Sequence, residues 1–365
     1  MRICIDASPL LLRSVGVKTY VYHWLEHLQP AAGQDEIRVF PWLGQVRPLT
    51  HERSQLGLLG TVLRRGMLAA ANRRVPGALT VLTPKNVDLF HISNQLRQAP
   101  ALPLSATVYD MTTRLFPHLH TESNIRSDKY FGDTVLKRAK GLIAISNHTR
   151  TDTIQLVGVN PDRIEVIYPG VSEKYFAAKA APGRFGKPYM LFVGTIEPRK
   201  NVGVLLDAYL QLPNSVKSEF DMIVAGPPGW KAPDTMARLQ APSPGVRYLG
   251  YVPEDEMPGL VAGATAMVYP SLYEGFGLPV AEAMACGVPV ITSAVSSLPE
   301  VAGEGGLLVD PQSVSELCSA MNSLLTNPDL RRNLAEKGNA RARSLYRWSV
   351  CAERSMAFFH RIIGN

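Results

Sequence analysis

The sequence predicts an α/β protein built from two doubly wound parallel-sheet domains. Three observations predict it. Twelve short β-rich runs alternate with helix-length segments, a Gly/Pro/Ala-rich stretch at 169–188 divides the runs six and six, and 365 residues with 46% hydrophobic content exceed one ordinary core.

The first six runs are "RICID" (2–6), "IRVF" (37–40), "DLFHI" (88–92), "ATVY" (106–109), "GLIAI" (141–145) and "RIEVIY" (163–168). The second six are "YMLFVG" (189–194), "DMIVAG" (221–226), "VRYLG" (246–250), "TAMVY" (265–269), "VPVIT" (288–292) and "GLLV" (306–309). Intervening helices make each series a set of βαβ units, hence a Rossmann-like domain. The boundaries follow as 1–172 and 173–349, with 169–188 as linker. The segment "YRWSVCAERSMAFFHRII" has Trp348, Met356, Phe359 and Ile363 at helical spacing, so the chain ends in an amphipathic helix over about 350–365. Ligands of such sheets bind beyond the carboxyl ends of the strands, and two facing domains would form a cleft there.

Composition narrows the function. Charges and Pro or Gly interrupt every apolar run before the ~18–20 residues of a membrane span, and "MRICIDAS" reads as a strand rather than a signal peptide, so a cytoplasmic chain is expected. Cys4, Cys286, Cys318 and Cys351 lack C-x-x-C spacing and suit reduced core thiols. Residues 1–175 carry 21 Lys+Arg against 14 Asp+Glu, and the remainder 17 against 17, so the whole formal charge of +7 lies in the first half. Such asymmetry points to an anionic partner. Nucleic acid is disfavoured because no basic run is interleaved with aromatics, and a nicotinamide cofactor because no G-x-G-x-x-G follows an early strand.

Two strand ends carry unusual chemistry. "FVGTIEPRKNVGVLL" leaves a strand through Gly194 and Thr195 and places Arg199 and Lys200 at a helix entrance, where the macrodipole favours anions. A negative group must compensate them; two solvated surface cations are the plainer alternative. "YPSLYEGFGLPVAEAMACG" reads as a strand end, a loop, and a helix with Pro279 at its start and Gly287 after its end. Amides of Gly277 and Leu278 would point out of that helix toward a phosphate, and Gly275 and Gly277 would let the backbone approach closely. Glu282, one turn on, would stand ~5–6 Å from the phosphate, within reach of a ribose. Glu274 would face a sugar on the other side. A glutamate in a first helical turn is also stabilised by the dipole without any ligand.

These motifs in combination, "EGFGLPVAE" (E-x7-E) with "AMACGVPVI", "SSLPEVAGEGGLLVDP", "VGTIEPRKN" and "VRYLGYV", resemble retaining glycosyltransferases of family 4, whose fold is GT-B. "IDASPLLLRSVGVKTYVYHWLEHL" and "AKGLIAISNHTRTDTI" extend the resemblance over nearly the whole chain. It implies transfer of a hexosyl group from a nucleoside diphosphate sugar to a lipid-linked or oligosaccharide acceptor, with retention and without an obligatory metal or other cofactor. GDP-mannose is the first choice of donor, and the setting implied is polysaccharide biosynthesis.

Carried over by residue, the resemblance implies that Glu282 binds the ribose and Glu274 the donor sugar, with backbone help from Gly275, Phe276 and Gly277. Lys200 and Arg199 would neutralise the diphosphate. Gly16 would leave room for diphosphate or acceptor, and Val252, ending "VRYLGYV", would face the base. Two positions depart from the pattern: Thr195 stands where many relatives carry arginine, and Tyr109-Asp110 where many carry His-Asp. Asp110 stays a candidate for orienting the acceptor hydroxyl, with a turn-forming aspartate as its alternative.

His118 and His120 are spaced i, i+2, a metal-ligand spacing only in a strand, and are read as surface histidines. Trp230 is expected to pack its loop. In "SQLGLLGTVLRRGMLAAANRRVP", Leu56, Leu59, Val62, Leu63 and Met67 form an apolar stripe beside Arg64, Arg65, Arg73 and Arg74, which fits either a crossover helix or an interfacial helix at an anionic membrane. A sugar-nucleotide epimerase or phosphorylase on the same fold, and a non-catalytic nucleotide-sugar-binding protein, remain alternatives.

Overall fold

The computed structural model describes residues 1–11, 16–41, 49, 54–72, 85–93, 100–180 and 185–364. All twelve predicted runs form strands, in two six-stranded sheets in which every neighbouring pair of these strands is parallel. The first holds β1 (Arg2–Asp6), β2 (Glu36–Phe40), β3 (Leu89–Ile92), β4 (Leu104–Val108), β5 (Gly141–Ala144) and β6 (Ile164–Val166) in the order β2-β1-β3-β4-β5-β6. The second holds β7 (Tyr189–Val193), β8 (Asp221–Ala225), β9 (Val246–Gly250), β10 (Ala266–Tyr269), β11 (Val290–Ser293) and β12 (Gly306–Val309) in the order β12-β11-β10-β7-β8-β9. Central strands β8, β10 and β11 are buried throughout, as parallel strands covered on both faces must be.

The chain divides into one compact unit of Met1–Gly170 with Trp348–Asn365 and another of Val171–Arg347. The segment read as linker divides at Gly170, and from Val171 on it belongs to the second unit. It forms the short helix Glu173–Phe176, in which Tyr175 is buried, because one large aromatic among its small residues suffices to anchor it. The crossing point is tight: a Cβ on Gly170 would lie 2.2 Å from the Trp348 amide nitrogen. Helix Trp348–Gly364 buries Trp348, Cys351, Met356, Phe358 and Phe359, and packs on helix Gly16–Ala31, where Trp24 Nε1 donates to Ser355 Oγ at 3.0 Å.

Each sheet has one place where successive crossovers diverge to opposite sides. In the first unit this switch point lies between β1 and β3, and in the second between β7 and β10. The four cysteines are free thiols, with Cys4 and Cys351 buried. No helix among the described residues is long and apolar enough to cross a membrane. Arg73 and Arg74 lie outside the described residues.

Candidate functional site

The second unit's switch point collects most of the residues singled out above. β7 runs out through Gly194, against which Gly226 packs so closely that a Cβ there would sit 1.9 Å from the Gly194 carbonyl oxygen. Only glycine fits, and it leaves the β7 end bare backbone. The 3-10 turn Pro198–Lys200 follows, closed by Asn201 in a left-handed conformation (φ 59°). Asn201 Nδ2 donates to the carbonyls of Pro270 and Pro311 at 3.1 and 2.7 Å, and Leu272 N donates to the Arg199 carbonyl at 2.8 Å. These bonds pin the turn after β7 to the loop after β10.

Lys200 and Glu274 meet for that reason. Lys200 Nζ donates to Glu274 Oε1 at 2.7 Å and to the Tyr269 hydroxyl, which itself donates to Glu274 Oε1 at 3.1 Å. Arg199 reaches Glu274 Oε2 at 2.8 Å through Nη1 and Glu197 Oε1 at 2.6 Å through Nη2. Lys200, Glu274 and Glu197 are each under 10% exposed. The negative compensation sought for the two cations is therefore supplied by Glu274 and Glu197, and the four charges cancel. Burial pushes the Glu274 carboxyl up, but the Arg199 and Lys200 charges more than offset it and hold the group down to about 2. Burial and neighbouring Arg199 lower Lys200 against the opposing pull of Glu274.

Gly277 begins helix Leu278–Ala285 with φ +106°, and a Cβ there would meet Leu298 Cδ2 at 2.8 Å. Pro279 follows at the second helical position, where its missing N–H costs nothing. The preceding loop is held by Ser297 Oγ, which donates to the carbonyls of Glu274 and Phe276 at 2.9 and 2.8 Å, and by Ser296 Oγ, which accepts from Glu274 N at 3.0 Å. This start of a helix, with its positive dipole end, suits an anion. Glu282 stands one turn on beside Tyr175. It is only half-buried by surface area, yet so densely surrounded that burial, with the Glu254 charge, pushes its carboxyl up to about 8.

The sequence-predicted residues Gly194, Thr195, Arg199, Lys200, Glu274, Gly275, Phe276, Gly277, Leu278 and Glu282 thus share one unit, on two adjoining loops and the helix that follows the second. Val252, beyond β9, is in the same unit but 5% exposed, so it packs inward. Gly16 and Asp110 belong to the other unit. Gly16 is exposed at the start of its helix with open space where a Cβ would stand. One Asp110 oxygen accepts from Thr112 N and Oγ1 at 3.0 and 2.6 Å, the turn-forming alternative named above.

His118 lies in a 3-10 turn, not a strand, and no cluster of three or more potential metal ligands occurs among the described residues. Trp230 is 47% exposed. Sequence reading missed Tyr269 and the part played by Glu197. Their signals were present: a tyrosine as the last residue of a buried strand, and a glutamate three residues before the lysine.

The family model described as "Glycosyl transferases group 1" matches residues 176–341, and "Glycosyltransferase Family 4" matches 15–175. The chain is 30% identical over 387 residues to "O-antigen chain mannosyltransferase B" of Escherichia coli, covering 98% of each. It is 28% identical to "MMP alpha-(1->4)-mannosyltransferase" of Mycolicibacterium hassiacum over 72% of this chain and 66% of that protein. Among solved structures, sucrose-phosphate synthase from Thermosynechococcus elongatus superposes with a TM-score of 0.76 at 22% identity, covering 100% and 99% of the two chains. WaaG, "a glycosyltransferase involved in lipopolysaccharide biosynthesis", gives 0.69 at 16%, covering 100% of both.

Proposed function

Because the chain belongs to the group 1 and family 4 glycosyltransferases and shares their two-domain GT-B fold, we propose that it transfers a hexosyl group, with retention, from a nucleoside diphosphate sugar to a hydroxyl of a lipid-linked or oligosaccharide acceptor. The observation that carries this reading is the convergence of Arg199, Lys200 and Glu274 with the start of helix Leu278–Ala285 at one switch point. Mannose from GDP-mannose is the donor, on the strength of two relatives named as mannosyltransferases. The product enters surface polysaccharide, as the name of the first of them suggests.

In this reading the donor diphosphate sits at the start of helix Leu278–Ala285, and Glu282 accepts hydrogen bonds from the ribose hydroxyls. The diphosphate draws on Lys200 and Arg199, now balanced by Glu274 and Glu197, and the cations stabilise the charge that grows on it as the C1–O bond breaks. Glu274, buried and ionised, orients sugar hydroxyls. The acceptor oxygen bonds to C1 and its proton passes to the departing phosphate, so no protein base and no metal is required. Acceptor recognition falls to the first unit, which also meets an anionic membrane surface.

The test is turnover of a panel of radiolabelled nucleoside diphosphate sugars with lipid-linked acceptors, with and without magnesium, and NMR of the anomeric configuration. A retained mannoside formed from GDP-mannose without metal is expected. An inverted product, release of free sugar alone, or another donor would overturn the corresponding part of the reading.

A further inference from the structure

Tyr269 has no part in the reading above, yet its hydroxyl is where the two charged loops meet. It is the last residue of β10 and fully buried. Its ring stacks on Phe192 of β7, with centroids 5.6 Å apart and planes 18° from parallel, and its carbonyl accepts from Thr292 Oγ1 of β11 at 2.9 Å. Three neighbouring strands therefore fix the place of the hydroxyl, whereas Lys200 and Glu274 stand on a turn and a loop. A phenylalanine would fill the same space, so packing alone does not account for the oxygen.

The hydroxyl is used in both directions. It accepts from Lys200 Nζ and donates to Glu274 Oε1 at 3.1 Å, while Lys200 Nζ also donates to that carboxylate oxygen at 2.7 Å. Burial, with the Glu274 charge, pushes the hydroxyl well above its ordinary value, so it keeps the proton that it donates. An ammonium group has three donors in a tetrahedral array. Two of them go to acceptors only 3.1 Å apart, so both lie on one side of Nζ and the third N–H turns to the other. With Glu274 alone the ammonium could swing about a single bond; the second acceptor removes that freedom. Arg199 holds the other Glu274 oxygen at 2.8 Å, so the carboxylate is fixed as well. We propose that Tyr269 is the positioning residue that aims Lys200: its hydroxyl, together with Glu274, turns the third ammonium N–H toward the diphosphate as the C1–O bond breaks. This rests on the reading above, in which Lys200 neutralises the departing diphosphate, and adds the residue that sets the lysine's direction. The tyrosine touches no substrate in this account, so its effect passes through Lys200 and vanishes with it.

The test is a double-variant cycle on transfer kinetics with GDP-mannose and a lipid-linked acceptor: wild type, Tyr269→Phe, Lys200→Met and the two together, with GDP affinity measured alongside. Tyr269→Phe should lower kcat about 10-fold, with donor KM and GDP affinity within about twofold of wild type. In the Lys200→Met background the same change should lower kcat by less than about twofold. Wild-type kcat in Tyr269→Phe would overturn the proposal, and so would an equal loss in both backgrounds, because the tyrosine would then support the fold rather than the lysine. Loss of GDP affinity in Tyr269→Phe would overturn it too, by making the hydroxyl a prop of the donor site as a whole. A wild type that turns over neither GDP-mannose nor any other nucleoside diphosphate sugar would overturn the reading above, and this inference with it; the other outcomes fall on the inference alone.

Discussion

The two switch points are built on similar topology and filled with opposite chemistry. Between β1 and β3, Asp6 is fully buried and accepts from Ser8 N at 3.0 Å and Ser93 N at 3.2 Å, and burial pushes its carboxyl up to about 6. Its bonds tie one strand end to its neighbour, a structural use of a carboxylate. Between β7 and β10, Glu274 is equally enclosed but faces two cations, which hold it ionised. The same residue class at the same topological place is thus a brace in one unit and a member of a charged cluster in the other. What separates them is the partner: backbone amides leave burial in control, whereas Arg199 and Lys200 overrule it.

Removing Glu274 is the most severe way to break the contrast. Glu274→Ala leaves buried Lys200 and partly buried Arg199 beside one remaining carboxylate, and should cost about 3–5 kcal/mol in denaturant unfolding as well as activity. Lys200→Met should lower kcat by about 100- to 1,000-fold with a smaller change in donor KM, measured by initial rates. Asp6→Asn should cost only about 1–3 kcal/mol, because one backbone donor loses its acceptor, and should leave nucleotide affinity within twofold of wild type. A large loss of nucleotide binding in Asp6→Asn would erase the distinction between the two places.

The smallest expected effects are those of pH. Glu274 has a folded-state value below its ordinary one, so its stabilisation is present above about 4.5 and is lost as pH falls toward about 2. Asp6 has the opposite sign: its burial destabilises increasingly as pH rises from about 4 to about 6. Burial, with the Glu254 charge, pushes the Glu282 carboxyl up to about 8, and ribose hydroxyls favour its ionised form. Nucleotide affinity should therefore rise with pH toward about 8, with protons released on binding. Calorimetry in buffers of different ionisation enthalpy reads that release.

Much of the molecule was legible in its sequence because parallel strands buried on both faces appear as apolar runs, and all twelve form strands. The order of those strands was not legible, since it arises from pairings between distant segments. For that reason the meeting of Lys200 with Glu274, 74 positions apart, could not be read from either loop. The cations were visible and their neutralisation by Glu197 and Glu274 was not. Helix Leu58–Asn72 shows a further limit: periodicity reveals a stripe but not which side turns to the core, and here Leu59, Val62 and Leu63 turn outward. Tyr175 looked like linker because composition registers the small residues around it and not its burial.

The most direct test of the donor site is calorimetric titration of wild type and Glu282→Ala with GDP, UDP and ADP in the absence of divalent cations. One nucleotide, GDP by the reading above, should bind wild type with proton release, and the variant should bind it at least about 10-fold more weakly without that release. Equal binding by both proteins, or no binding of any nucleotide, would contradict the placement of the donor at the switch point between β7 and β10.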